Sequence, residues 1–334
     1  MPTLRRKIMR HYYYLTLFYS VLLVSMPIFA KNRIETLQSF QRKINPEQQK
    51  VSDTDIKSYY QTSNHRSADV NDRVIAATDL FLQRPYIFDT LGDGQNGDFD
   101  KRPLLTTAGF DCMSLAHVVL AMTVSQDVAE FEKNLVTIRY HQRPISYFNR
   151  HHFMSWQWNR HNEKNHFLKD ITQTFMDYQQ KPVAKTLVTE IDYPQWLQFQ
   201  KKMLGKKAPL TPQQLQSWQK AYDNAQVQTV ELSYIPFETI LNPKNTEIIL
   251  AQIPGGSIIE FVTPNWDLKK VIGTKIDIAH LGFVIVKDNQ RIFRHAGFKG
   301  VIEMPLIEYI QHAHKNLKKF KGIMVERITL PPKT

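Results

Sequence analysis

An α+β fold with an antiparallel sheet is what this 334-residue chain predicts, and three observations predict it. Helical periodicity is confined to separate stretches, chiefly residues 71–82 and 112–123. From Val227 onward the apolar residues come in short runs that read as strands, and no long helix separates those runs. Hydrophobic residues at 42% and aromatic residues at 11% supply enough apolar surface for a sizeable core.

The first 30 residues stand apart from the rest. Arg5, Arg6, Lys7 and Arg10 make a basic start, and Tyr12 to Ala30 follow as 19 residues without charge, the pattern of an export signal. Ala30 supplies a small residue ahead of a cleavage position. An uncleaved anchor is the alternative, because the apolar run nearly reaches bilayer-spanning length. The rest of the chain is therefore expected outside the cytoplasm, either exported to the periplasm or held at the inner membrane facing it. Membrane association through this segment is the matching partner expectation.

The formal charge of +12 falls to +8 without those residues, which favours anionic surroundings such as acidic wall polymers or lipid head groups. Export, scattered Lys and Arg, and the lack of a finger, basic zipper or RNA-binding signature argue against nucleic acid.

Residues 31–68 form a polar arm, and residues 69–334 the main domain. Val74, Ile75, Ala77, Thr78, Leu80 and Phe81 recur at helical spacing until Gln83-Arg84-Pro85 ends the helix. A Gly- and Asp-rich loop covers residues 91–101. Asp111 is then a suitable N-cap for a helix whose Leu115, Val118, Val119 and Met122 share one face. Residues 155–228, punctuated by Pro182, Pro194, Pro209 and Pro212, read as a helical insertion. Short strands follow around Val230, Ile248 to Leu250, Ile258 to Val262, His280 to Val286 and Ile292 to His295, and one late helix after Pro305.

The chemistry centres on FDCMSLAHVVLAM, which carries Cys112, the single cysteine of the chain. A helix start stabilises a thiolate through unpaired N–H groups and the positive end of the dipole, and the same amides can hold an oxyanion. A buried apolar cysteine is the alternative reading.

The stretch AHLGFVIVKDNQRIFRHAG reads as a hairpin. If its turn is symmetric about Asp288 and Asn289, Val286 pairs with Arg291, and His295 lies opposite Gly282 and diagonal to His280 on one face. Two imidazoles placed so fit a base and its orienting partner, and with Cys112 they complete a cysteine-hydrolase arrangement. An odd-length turn would put them on opposite faces.

At this point the chain resembles the N-acetylmuramoyl-L-alanine amidase-like family within the NlpC-type cell-wall cysteine hydrolases. FLQRPYIFDTLGDG with FDCMSLAHVVLAM resembles that family's Pro-Tyr and Asp-Cys segments. RYHQRPISYFNRHHFMSWQWNRHN resembles its Arg, His and Trp block, and ELSYIPFETIL, IPGGSIIEFVTP, IAHLGFVIV and FRHAG continue in order, over roughly residues 72–327. The resemblance implies a papain-like fold with the nucleophile at a helix N-terminus packed on an antiparallel sheet. It implies Cys112 as nucleophile, His280 as general base and acid, and His295 as the orienting residue. Tyr86 would help to hold substrate, and Asp111, Arg150, His152 and Trp156 join it as substrate-binding candidates. Met113-Ser114 departs from the Ser-Gly common after the cysteine in the wider group.

The expected function is cleavage of the N-acetylmuramoyl-L-alanine amide or of a stem-peptide amide, with peptidoglycan or muropeptides as partner and no cofactor. A γ-D-glutamyl endopeptidase of the same fold, a thiol acyltransferase and a non-catalytic wall-binding module are the alternatives. His151, His152, His161 and His166 invite zinc, but no completing ligand pattern accompanies them, so no metal is expected. GDGQNGDFD resembles a calcium loop without its closing Glu, and reads better as a turn.

Overall fold

The computed structural model describes residues 46–62 and 64–330. The expected export segment, residues 1–30, lies outside the described residues, as does the start of the polar arm. The rest of that arm holds helix α1 (Pro46–Gln61). Its Ile56 and Tyr59 are buried, and Asp55 takes a bidentate pair from Arg84 and the hydroxyl of Thr107.

Helix α2 (Val70–Asp79) starts on Asp69, which accepts the Asn71 N–H. Helices α3 (Cys112–Val124) and α4 (Val128–Arg139) follow, capped by Asp111 and Asp127. The sequence pattern implied one buried face for α3, yet every residue from Ser114 to Val124 is buried. The reason is compositional: a helix without a polar face is a core helix. Neighbouring helices α2 and α4 pack on it, as does a strand of the sheet.

The chain divides into two units: residues 42–187, 231–264 and 278–334 make the larger, and residues 188–230 with 265–277 belong to the smaller. The strands are β1 (Leu168–Asp170), β2 (Lys185–Asp192), β3 (Val227–Pro236), β4 (Ser257–Asp267), β5 (Lys275–Lys287), β6 (Gln290–Gly297), β7 (Gly300–Pro305) and β8 (Gly322–Ile328). Among the described residues they form one sheet in the order β2-β3-β8-β4-β5-β6-β7, with β1 on β8. The registered pairs are antiparallel: Ile235 faces Ile323, Ile259 faces Val325, Phe283 faces Arg294 and His295 faces Ile302. This is the mixed α+β class expected.

Within the smaller unit, helices α5 (Tyr193–Lys207) and α6 (Pro212–Asp223) both begin with proline in the first turn behind a side-chain cap, Asp192 and Thr211. Gly273 there has φ +92, and a Cβ would sit 2.8 Å from the Gln195 carbonyl. The 155–228 stretch, read from sequence as helical, thus also contains β1 and β2 and the start of β3.

In the larger unit a last helix, α7 (Leu306–Asn316), buries Leu306, Tyr309, Ile310 and Ala313 at the spacing of one helical face. Phe261, Phe293 and Tyr309 meet there at ring distances of 4.8 to 5.4 Å. Asn71 fastens the start of α2 to the β5 backbone: its amide donates to the Val286 carbonyl and accepts the Val286 N–H, at 3.0 and 2.8 Å. The strands that carry the two histidines are thereby tied to the helical layer.

Candidate active site

Asp111 starts the site. Its Oδ1 accepts the Ser114 N–H at 2.7 Å while Ser114 Oγ accepts the Asp111 N–H at 2.9 Å, a reciprocal capping box. Oδ2 accepts the Asp89 N–H at 2.8 Å. Cys112 therefore occupies the first helical position, and it is buried. The backbone N–H groups of Leu281, Met113 and Cys112 itself favour the thiolate. Burial, helped by the Asp111 carboxylate, overcomes them and pushes the thiol up to about 12. The local rule of a helix start, which implies an easily ionised thiol, is outweighed by desolvation. At neutral pH the group is a thiol.

The hairpin has the register that an even turn requires. Val286 faces Arg291 and Lys287 faces Gln290, and Asp288 and Asn289 both take positive φ, 48° and 61°, as a two-residue I′ turn demands. His280 Nε2 lies 2.9 Å from His295 Nδ1. Gly282 makes the approach feasible, because a Cβ on it would fall 2.7 Å from the His295 Cβ.

Aromatic rings enclose this pair. Phe293 stacks on His295 at 4.8 Å and 17°, Tyr309 lies over His280 at 5.8 Å and 27°, and Phe261 stands 6.0 Å from His280. Burial holds His295 down at about 4, and burial followed by the neighbouring His295 holds His280 well below the usual imidazole range. Both rings are neutral at neutral pH. One proton occupies the Nε2 to Nδ1 contact, and the outer nitrogens, His280 Nδ1 and His295 Nε2, have no hydrogen-bond partner among the described residues.

Tyr86 joins the helix start through a short bridge to Phe110, with the Ile87 N–H on the Phe110 carbonyl and the Phe110 N–H on the Pro85 carbonyl. Burial first, then the charges of Asp111, Cys112 and Asp89, raise its hydroxyl. Tyr309, which sequence reasoning passed over, shows the same signature: burial and then Cys112 push its hydroxyl up. Its i, i+3, i+4, i+7 neighbours marked it as buried, but nothing local marked what it would face.

Arg150 sits in an ion network that runs from buried Asp93 and Asp100 out to the exposed Asp89. It bonds Asp100 at 3.0 Å and Asp93 at 3.4 Å, while Arg102 joins Asp100 at 2.6 Å to Asp89 at 2.7 Å. Burial alone would raise Asp100; Arg102 and Arg150 prevail and hold its carboxyl at about 2. The network reaches Asp111 through Asp89. It also occupies Asp93 and Asp100 of the calcium-like loop.

His152 Nε2 is 2.7 Å from the Tyr147 carbonyl, and its N–H donates to Gln157. Trp156 lies 5.8 Å from the Phe153 ring. The rings of His141, His151 and His161 are neighbours, but Nδ1 of His141 and Nε2 of His161 are engaged by the carbonyls of Asn149 and Thr137. Among the described residues no group of three or more His, Cys, Asp or Glu is arranged to hold a metal ion, and no helix is long and apolar enough to cross a membrane.

The larger unit thus carries a buried thiol at a capped helix start and a neutral imidazole pair on its sheet. Residues 76–317 match the family described as AmiA-like, N-acetylmuramoyl-L-alanine amidase-like, and the chain belongs to that family. The chain is similar to a Legionella pneumophila protein of solved structure, with 30% identity, a TM-score of 0.74 and coverage of 85% of this chain and 95% of that one. It is also similar to an N-acetylmuramoyl-L-alanine amidase from Bacteroides uniformis, with 25% identity, a TM-score of 0.55 and coverage of 78% and 99%. No curated protein matches.

Proposed function

We propose that this protein is an exported, papain-like peptidoglycan amidohydrolase that cleaves the N-acetylmuramoyl-L-alanine amide through an acyl-enzyme on Cys112. The observation that carries the reading is the His280 to His295 contact of 2.9 Å, on a strand whose next residue, Leu281, has a backbone N–H that favours the Cys112 thiolate. Family membership supports the substrate class.

The tautomers follow from the chemistry required. His280 Nδ1 must hold a lone pair to accept a proton, so its proton sits on Nε2 and is donated to His295 Nδ1; His295 then carries its own proton on Nε2. In the reaction the thiol proton passes to His280 Nδ1 as the sulfur bonds the carbonyl carbon. The resulting oxyanion is held by the Cys112 N–H. Collapse breaks the C–N bond, and the leaving amine takes the proton from Nδ1. Water then attacks the thioester, gives its proton to His280, and releases the carboxylate and the thiol.

Because both partners are neutral at rest, proton transfer accompanies attack instead of preceding it. Export through residues 1–30 is part of the same proposal and accounts for access to the wall.

Digestion of purified muropeptides with mass analysis of the products tests the reading. Free stem peptide and intact sugar are expected from the wild type and not from Cys112→Ala. Cleavage within the stem would replace this specificity by the γ-D-glutamyl one, an acyl group transferred to a non-water acceptor would indicate a transferase, and identical intact muropeptides with both proteins would remove the enzyme reading.

A further inference from the structure

Phe298 is a large apolar side chain left 53% exposed, three residues beyond His295 in the two-residue turn between β6 and β7. A single exposed aromatic needs no explanation by itself. Here the ring is not alone: its centroid is 5.3 Å from that of Tyr86, and the two planes meet at 58°.

Backbone bonds on both sides hold this pair in place. The Gln83 N–H donates to the Val301 carbonyl at 2.8 Å, and the Val301 N–H donates to the Arg84 carbonyl at 2.9 Å. Gly297 faces Gly300 across the turn. Gly300 has φ +101, and a Cβ there would fall 2.5 Å from the Arg84 carbonyl, so the turn is seated directly on the segment that leads into Tyr86. Tyr86 in turn is bridged to Phe110, two residues before Cys112. The corner made by the two rings is thus fixed relative to the nucleophile, and its Phe298 face is open.

We infer that Tyr86 and Phe298 form an aromatic subsite that receives the apolar C–H face of a pyranose ring, the muramoyl sugar on the acyl side of the scissile amide. A phenylalanine ring has no hydrogen-bonding atom, so it selects for a flat apolar face of its own size, which the sugar offers and the small alanine side chains of a peptide stem do not. Fixed aromatic platforms of this kind bind rings with little ordering cost. The inference rests on the amidase reading for the identity of the substrate and adds a specificity-determining residue, Phe298.

The test compares two substrates with the same scissile amide: an N-acetylmuramoyl peptide and the D-lactyl peptide that lacks the sugar ring. The wild type is expected to prefer the sugar-bearing substrate in kcat/KM. In Phe298→Ala that preference is expected to fall about tenfold, through KM, as loss of a stacking platform does, and Phe298→Trp is expected to restore it. An unchanged preference in Phe298→Ala would overturn the subsite, as would an equal loss on both substrates.

Should the wild type cleave neither, calorimetric binding of both compounds to Cys112→Ala and to Cys112→Ala/Phe298→Ala decides separately. Tighter binding of the sugar-bearing compound that depends on Phe298 upholds the subsite while the amidase reading falls. Equal binding of the two compounds overturns the subsite as well.

Discussion

Two regions flank the start of α3, one buried and one running from the interior to the surface, and they handle polar groups in opposite ways. On the sheet side, His280 and His295 are neutral and ringed by Phe261, Phe293 and Tyr309. On the loop side, Asp89, Arg102, Asp100, Arg150 and Asp93 are linked by ion pairs. An imidazole that must take and return a proton works best without a fixed countercharge, whereas a loop that must keep its shape gains from charges that cannot separate cheaply. Cys112 lies where the two meet, with Asp111 as the link to the charged side.

The largest expected effect lies on the neutral side. His280→Ala removes the proposed base and should lower kcat/KM about 10³-fold, with far-UV circular dichroism and melting temperature showing that the fold persists. A loss of less than tenfold would break the assignment of His280 as the proton acceptor.

Acid unfolding separates the regions next. The folded-state pKa values of His295 and Asp100 are both depressed, so each of these contributions is present at high pH and is lost as pH falls from the unfolded value through the folded one. For His295 the window runs from about 6.5 to about 4, and a shift of that size corresponds to about 3 kcal/mol. For Asp100 it runs from about 4 to about 2. Urea denaturation at stepped pH should show two declines. Arg150→Ala leaves the buried Asp93 without its ion-pair partner and should cost about 3–5 kcal/mol at pH 7 while preserving the decline between pH 6.5 and 4; disappearance of that upper step in this variant would show the two regions to be one unit.

The smallest effect sharpens the link between them. Asp111→Asn keeps a good N-cap but removes the charge beside the sulfur, at the expense of the Asp89 N–H bond. The thiol pKa should move down from about 12, read as faster alkylation by iodoacetamide between pH 8 and 10. An unchanged rate profile would assign the raised thiol to burial alone.

How far these features were legible in the sequence depended on their range. The Asp111 cap and the hairpin register are set by residues a few positions apart, so spacing and turn chemistry sufficed for both, while the reciprocal bond from Ser114 came only with the structure. The ion network joins residues 89–102 to Arg150 across about fifty positions, and no local pattern encodes that pairing. The thiol divides in the same way: the helix start that favours its ionisation is local, but the burial that outweighs it comes from packing that no local pattern encodes. Tyr309 stood on a clear helical stripe, yet a stripe says that a residue is buried and not which imidazole it covers. Residues 46–61 fell within the stretch read as a polar arm, yet they form a helix that buries Ile56 and Tyr59, a helix decided by what it packs on.

His280 and Leu281 are consecutive residues, one supplying the proposed proton acceptor by its side chain and the other an amide that meets the sulfur. The two groups share one stretch of strand, and the rings of Phe261 and Tyr309 with the His295 contact hold the His280 side chain in place on it. A displacement of β5 therefore carries base and amide together toward or away from Cys112, and strand position acts as a single mechanical coordinate. Core substitutions beneath β5, such as at Phe283 or Val284, should change the whole site in step.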